Sequence, residues 1–219
     1  MSDTTNSEAA VSAAAIRLWL QKSADVLAEK RAYLTELDSP IGDADHGNNM
    51  DRGFKAVVAT LSDKEDVGAV LKAVAMTLIS KVGGASGPLY GTFFLDAGKP
   101  FAGKAELEPA DLVTMFEDGI AGVKKRGRAE PGMKTMLDAQ IPAAEALKAA
   151  VAEGKSAVEA LKAAAEAAEE GMKATIPMQA QRGRASYLGE RSIDHQDPGA
   201  TSSYLIIRAL ADAVAETSQ

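Results

Sequence analysis

Cysteine is absent from the 219-residue chain, which excludes disulfides, thiolate zinc sites and thiol catalysis together. Aromatic residues are scarce at 5%, and alanine, leucine and valine supply most of the apolar material. That balance suits helices packed through small side chains better than a sandwich or barrel of strands. An excess of base is missing too. A formal net charge of -7 argues against a nucleic-acid backbone or an anionic membrane as the main partner, since both need a basic face; a local basic cluster can still hold a small anion. No apolar run approaches the length that spans a bilayer. The first residues, MSDTTNSEAAVSAAAIRLWL, lack a basic n-region, so they read as a frayed lead into a helix and not a signal peptide, and a cytoplasmic protein is expected.

What is present is helix, and the expectation is an all-α fold in one domain over residues 1–219. From about Ser7 to Leu37, Ile16, Leu20, Leu27 and Leu34 recur at spacings of four and seven, the stripe of one long amphipathic helix. It should stop at Asp38, because Pro40 biases Ser39 away from helical angles and Gly42 follows. Further helices are expected over Asn49–Leu61 and Val67–Val82. A fourth follows the glycine-rich GGASGP, a fifth starts at Pro109, and others begin near Lys134 and near Ser156. An eighth runs from Pro198 to about Ala215 behind an Asp197 N-cap. The alanine-rich stretch from Ala144 to Gly171 looks like a repeat but is explained by strong helix formers on solvated faces. Between the last two helices lies a polar stretch of about twenty residues, longer than most connections in a compact domain, and Tyr187, Leu188 and Ile193 within it favour an ordered loop.

Four loops hold the unusual residues, and each precedes an even-numbered helix, so an up-and-down array brings them to one end. In LDSPIGDADHGNNMDRGF, Asp38, Asp43 and Asp45 put three carboxylates within eight residues, near one of only two histidines. Hard oxygen donors without thiols or an imidazole cluster favour Mg2+ or Ca2+. An EF-hand fails: counting from Asp43, Gly47 is fifth, Asn48 sixth, and Phe54 stands twelfth where a bidentate Glu is needed. Ordinary capping and turn aspartates remain the competing explanation. GGASGP can present backbone amides and the Ser86 hydroxyl to an anion, or can be small residues at a crowded crossing. Lys124, Lys125, Arg126 and Arg128, with Arg182, Arg184 and Arg191, add positive charge at the same end. Together these are the parts for a magnesium nucleotide. A carboxylate ~5 Å from a phosphate charge repels it by roughly 3 kcal/mol at an effective dielectric of ~20. Nucleotide binding should therefore depend on the metal, two Mg2+ turning a repulsive site attractive.

The strings GDADHGNNMDRGF, GGASGPLYGTFF, AEPGMKTMLD, QRGRASYLGERSI and HQDPGATS, in this order over nearly the whole chain, resemble the signatures of the nucleotide-binding L subunit family of dihydroxyacetone kinases. The resemblance implies an eight-helix antiparallel barrel with a Mg-nucleotide at one end. It implies that Asp38, Asp43 and Asp45 hold two Mg2+ bridging the phosphates of ADP or ATP. His46, Gly47, Asn48, Asn49, Ala85 and Ser86 fall in its nucleotide-contact segments, Gly127 and Met136 in its nucleoside pocket. Arg184 and the Asp197, Pro198, Gly199 segment resemble the closing loop, Arg184 being the catalytic candidate beside the aspartates. The family's phosphohistidine lies on another subunit, so neither His46 nor His195 is expected to carry phosphate. The implied partners are a K subunit that holds dihydroxyacetone or a related short ketose and a phosphohistidine donor protein of the sugar phosphotransferase system. An ATP-exchanging two-subunit kinase, a non-catalytic nucleotide-binding adaptor and a plain helical interaction protein are the alternatives.

Overall fold

A computed structural model describes residues 10–63 and 66–218. The expected helix start at Ser7 and most of the N-terminal lead lie outside the described residues. Among the described residues the chain forms nine α-helices: α1 (Ala13–Glu29), α2 (Arg31–Asp38), α3 (His46–Thr60), α4 (Val67–Lys81), α5 (Ser86–Gly98), α6 (Pro109–Gly127), α7 (Leu137–Ala152), α8 (Ala157–Ala174) and α9 (Pro198–Thr217). Two 3-10 segments, Lys99–Phe101 and Arg184–Ser192, and one short strand pair complete the architecture. In that pair β1 (Val11–Ser12) runs antiparallel to β2 (Glu106–Leu107).

Eight of the helices close a ring. Packing runs α1 to α3, then α4, α5, α6, α7, α8 and α9 in sequence, and α9 returns to α1. The ring is the expected eight-helix barrel, with the extra helix arising from a break in the first one. At Lys30 the backbone opens to φ -87°, ψ 7°, and α2 leaves the ring to pack on α3 and α9. The apolar stripe continues across the break, since Leu27 and Leu34 are both fully buried. Gly47 lets the start of α3 lie directly on α2: a Cβ there would stand 2.0 Å from the Arg31 carbonyl oxygen.

The tryptophan and all five phenylalanines are spent on the interior. Trp19 and Phe94 stand 5.4 Å apart, Phe93 and Phe94 5.5 Å, Phe93 and Phe116 6.2 Å, and Phe54 and Phe94 6.4 Å. Most of these pairs meet edge to face, the geometry that the ring quadrupole favours. Trp19 satisfies its indole N–H on the Ile206 carbonyl at 2.8 Å, tying α1 to α9 where the ring closes.

Local chemistry sets most helix starts where they are expected. Asp66 and Asp197 accept the amides of Ala69 and Ala200, and Pro109 and Pro198 occupy first-turn positions. The first helix does not extend back through residues 11–12 as expected: these pair as a strand, and α1 begins at Ala13 with Ser12 accepting the Ala15 amide. The start of α3, at His46, comes three residues before the expected Asn49. The helix expected near Lys134 begins three residues later, at Leu137. Asp138 is the cause: its carboxylate takes the amides of Gly132 and Thr135, folding residues 132–135 back as a turn that holds Lys134 at φ 61°. No helix among the described residues is long and apolar enough to cross a membrane.

Candidate functional site

The loop from Asp38 to Asp45 is bent by its own backbone bonds. The Asp38 carbonyl accepts Gly42 N–H at 2.6 Å, and a Cβ at Gly42 would lie 2.0 Å from Asp38 Oδ1, so glycine is required there. Ala44 sits at φ 57°, left-handed for a residue with a Cβ, at a cost of about 1 kcal/mol. Asp38 is buried and its Oδ2 accepts the Asp45 and His46 amides at 2.9 and 3.1 Å. Those amides open α3, where a carboxylate is favoured by the helix dipole. Asp38, Asp43 and Asp45 thereby bring one oxygen each within 4.8 Å of one another. The site's competing explanation, aspartates that only cap turns, accounts for Asp38 Oδ2 but leaves the exposed Asp43 and half-buried Asp45 converging on one point. That donor set fits a hard divalent cation. Arg184 reaches the cluster from the late loop, 2.9 Å from Asp43.

Beside the carboxylates, GGASGP supports both of its expected meanings at different residues. Gly87 is crowded, since a Cβ would meet the Val82 carbonyl at 2.3 Å, whereas Gly84 has φ 63° and open space around it. The N-terminus of α5 carries no side-chain cap, so its first amides keep free donors for an anion. Ser86 Oγ lies 3.2 Å from His46 Nδ1, and His46 Nε2 lies 2.9 Å from Ser202 Oγ. The chain continues inward through Tyr90 to Ser203 and Gln140. Burial lowers the His46 pKa, against the opposing pull of Asp38 and Asp45. The imidazole is thus neutral near pH 7 and has both nitrogens engaged, which suits it to orient Ser86.

Two cavities share this wall. The smaller, about 150 Å³, is lined by Asp38, Asp43, Asp45 and Arg184 and by Gly83 to Ser86. The larger, about 760 Å³, extends from His46 and Ser86 past Leu89 and Val123 to Gly127, Arg128 and Met136. Arg182, Asp197 and Pro198 border both, and Gly199 the larger one. The combined shape, a narrow acidic chamber opening on a roomy apolar one, has the volume of a cofactor site. Asp197 is buried as the N-cap of α9, and its carboxyl is pushed up to about 7, first by burial and then by Asp138, while its bond to Ala200 and the nearby Lys134 act against the rise.

Several residues stand elsewhere than the motifs suggest. Gly47 serves the α2–α3 contact and Asn49 accepts from Arg52 at 2.6 Å; with the exposed Asn48 they lie outside the lining of both cavities. Lys124 turns to Glu130, and neither Arg191 nor His195 lines either of these two cavities. Conversely Lys134, Tyr90, Thr92 and Asp96 line the large cavity without standing among the expected site residues, although all but Asp96 fall within the motifs quoted above. In sequence Lys134 marks only the expected start of a helix within AEPGMKTMLD, and Asp138, four residues later, is the residue that shapes its turn.

The fold and site define a helical-barrel protein with an acidic, anion-receptive end. The chain matches the DAK2 domain family over residues 40–212 and belongs to that family. It is 50% identical over 201 residues to the PEP-dependent dihydroxyacetone kinase, ADP-binding subunit DhaL, of Escherichia coli (strain K12), spanning 90% of this chain and 95% of that protein. It is 43% identical over 199 residues to the PTS-dependent dihydroxyacetone kinase, ADP-binding subunit DhaL, of Lactococcus lactis, spanning 90% and 95%. The crystal structure of the C. freundii dihydroxyacetone kinase in complex with AMP-PNP and Mg2+ superposes with a TM-score of 0.69 at 26% identity. That match covers 97% of this chain and 36% of the C. freundii chain.

Proposed function

We propose that this chain is the nucleotide-binding subunit of a dihydroxyacetone kinase. It binds ADP or ATP with magnesium and passes a phosphoryl group to dihydroxyacetone, or a related short ketose, held on a separate K subunit. ADP is recharged in place by a phosphohistidine donor protein of the phosphotransferase system. The observation that carries this reading is the trio Asp38, Asp43 and Asp45, with ligand oxygens within 4.8 Å of one another, opening beside the uncapped start of α5. The donor-protein arrangement is favoured over free ATP by the relatives, which are PEP- or PTS-dependent, ADP-binding subunits.

In this reading Asp38, Asp43 and Asp45 would hold two Mg2+, which would supply the positive charge that neutralises the phosphates. The chain's own groups do the rest. The amides at the start of α5 and the Ser86 hydroxyl receive the diphosphate, and neutral His46 keeps that hydroxyl oriented. Leu89, Val123, Gly127 and Met136 shelter the nucleoside in the larger cavity, while Asp197, Pro198 and Gly199 form its lip. Arg184 lies within reach of the phosphate end and lends positive charge where it develops on the transferring oxygens, the main task of a phosphoryl-transfer catalyst.

A coupled assay tests the assignment. Purified chain mixed with a K subunit should phosphorylate dihydroxyacetone when given the phosphohistidine donor system, and do so poorly with ATP alone. Turnover with ATP alone at the same rate would favour the exchanging two-subunit kinase. Nucleotide binding without turnover from either donor would leave an adaptor.

A further inference from the structure

Among the described residues Lys134 is the one buried cation, at 1% exposure. Its Nζ donates to the carbonyls of Ser192 at 2.7 Å, Thr175 at 2.9 Å and Met178 at 3.0 Å, with Ile176 at 3.4 Å. An ammonium has three N–H donors. All are committed to backbone, so none remains for a phosphate even though Lys134 borders the large cavity. Burial lowers its pKa, and the carboxylates of Asp197 and Asp194 counter that effect.

The four carbonyls come from two places. Residues 175, 176 and 178 directly follow α8, and residue 192 ends the 3-10 segment. Between them runs the stretch that carries Arg182 and Arg184 over the acidic chamber. Its root has further ties, Ala180 N–H to Ser192 Oγ at 2.8 Å and Asp194 N–H to Ile176 O at 2.9 Å. Beyond the root, residues 182–184 are exposed, and Arg184 reaches the body of the protein through its ion pair with Asp43. A segment tied mainly at its base has its tip positioned by how firmly the base is closed. Lys134 itself belongs to the turn that leads into Met136 and α7, so it joins the nucleoside wall to the phosphate-end loop.

We propose that Lys134 is a positioning residue whose ammonium clasps both ends of the 179–191 loop, holding Arg182 and Arg184 over the phosphate end and so setting how fast bound nucleotide leaves. The kinetic half rests on the nucleotide-binding function proposed above; the clasp does not. Lys134→Met keeps a long apolar stem and removes the donors. In nucleotide-free protein, well below the melting midpoints of both forms, trypsin should cut after Arg182 and Arg184 about tenfold faster or more than in wild type, the scale of losing hydrogen bonds to a charged group. Cleavage at Lys162 on α8 should be unchanged. With Mg2+ present, a fluorescent ADP analogue should dissociate faster by a similar factor while its association rate changes less. A purely structural role predicts a lower melting midpoint with loop cleavage and dissociation unaltered, and that result overturns the proposal. If wild type fails to bind the analogue, the function proposed above falls, and the protease arm still decides the clasp. Should Lys134→Met not fold, lysine-15N NMR of wild type decides: one slowly exchanging ammonium resonance is expected, nearly unmoved by Mg-ADP. A fast-exchanging ammonium, or a large shift from phosphate contact, overturns the clasp.

Discussion

The two ends of the barrel are built by different rules. At the end away from the cavities, α4 and α8 start on side-chain caps, α8 carries a full capping box from Ser156 with Glu159, and at α6 the Asp111 carboxylate accepts the Glu108 amide. Its left-handed turns use glycine, at Gly103 and Gly154. At the cavity end α3, α5 and α7 have no cap from their own N-cap side chain, and α9 alone has one, from Asp197. Among the described residues, the four non-glycine positions with positive φ, Ala44, Arg128, Lys134 and Asp194, lie there, as do the buried Asp38, His46, Lys134, Asp138 and Asp197. Each left-handed side-chain-bearing residue costs about 1 kcal/mol. One end is arranged for stability, and the other gives some up to keep donors, acceptors and charges facing a cavity.

Substitutions at the two ends should separate these rules. The largest effect is expected for Asp43→Ala. Loss of a metal ligand should weaken ADP binding by at least about a hundredfold, beyond the usual cost of losing an outer-shell partner. Asp43 is exposed and its ion pair with Arg184 lies at the surface, so stability should change by no more than about 1 kcal/mol. Calorimetric titration with denaturant unfolding checks both, and wild-type affinity in this variant would contradict the metal assignment.

A matched serine pair sharpens the contrast. Ser86→Ala should weaken ADP binding about tenfold. Ser156→Ala, at the far end, should cost about 1 kcal/mol of stability by loss of the cap and leave ADP affinity as it was. An effect of Ser156→Ala on affinity would show the ends to be coupled.

The least direct effect is a pH slope. The Asp197 carboxyl titrates at about 7 in the fold against 3.8 for the ordinary group. A raised folded pKa means that the fold binds the extra proton, so this contribution is full below the unfolded value and is lost as pH rises through about 7. Asp197→Asn stays neutral throughout and escapes that loss. Its melting midpoint relative to wild type should therefore climb between about pH 4 and about pH 8, and a constant difference would refute the shift.

Much of this was legible in sequence where the signal is local. Pro109, Pro198 and Asp197 mark helix starts because their backbone restrictions and short side chains act within one turn. The ring order follows from short loops, and the convergence of Asp43, Ser86 and Arg184 follows from the ring. The parts that escaped are tertiary. Nothing at Lys30 marks a break, which comes from α2 finding its partner in α3. The late start of α7 depends on where the Asp138 carboxylate turns. Gly47, in a motif that resembles a nucleotide contact, is needed for helix packing, and Lys134 becomes special only when two distant stretches of backbone close around it.

The central claim is that the acidic chamber receives a diphosphate only through divalent cations. Isothermal titration of ADP into the chain with millimolar-range Mg2+, and again in excess EDTA, addresses it most directly. Clear saturable binding with the metal and none with the chelator is the predicted result; equal affinity in both would contradict it.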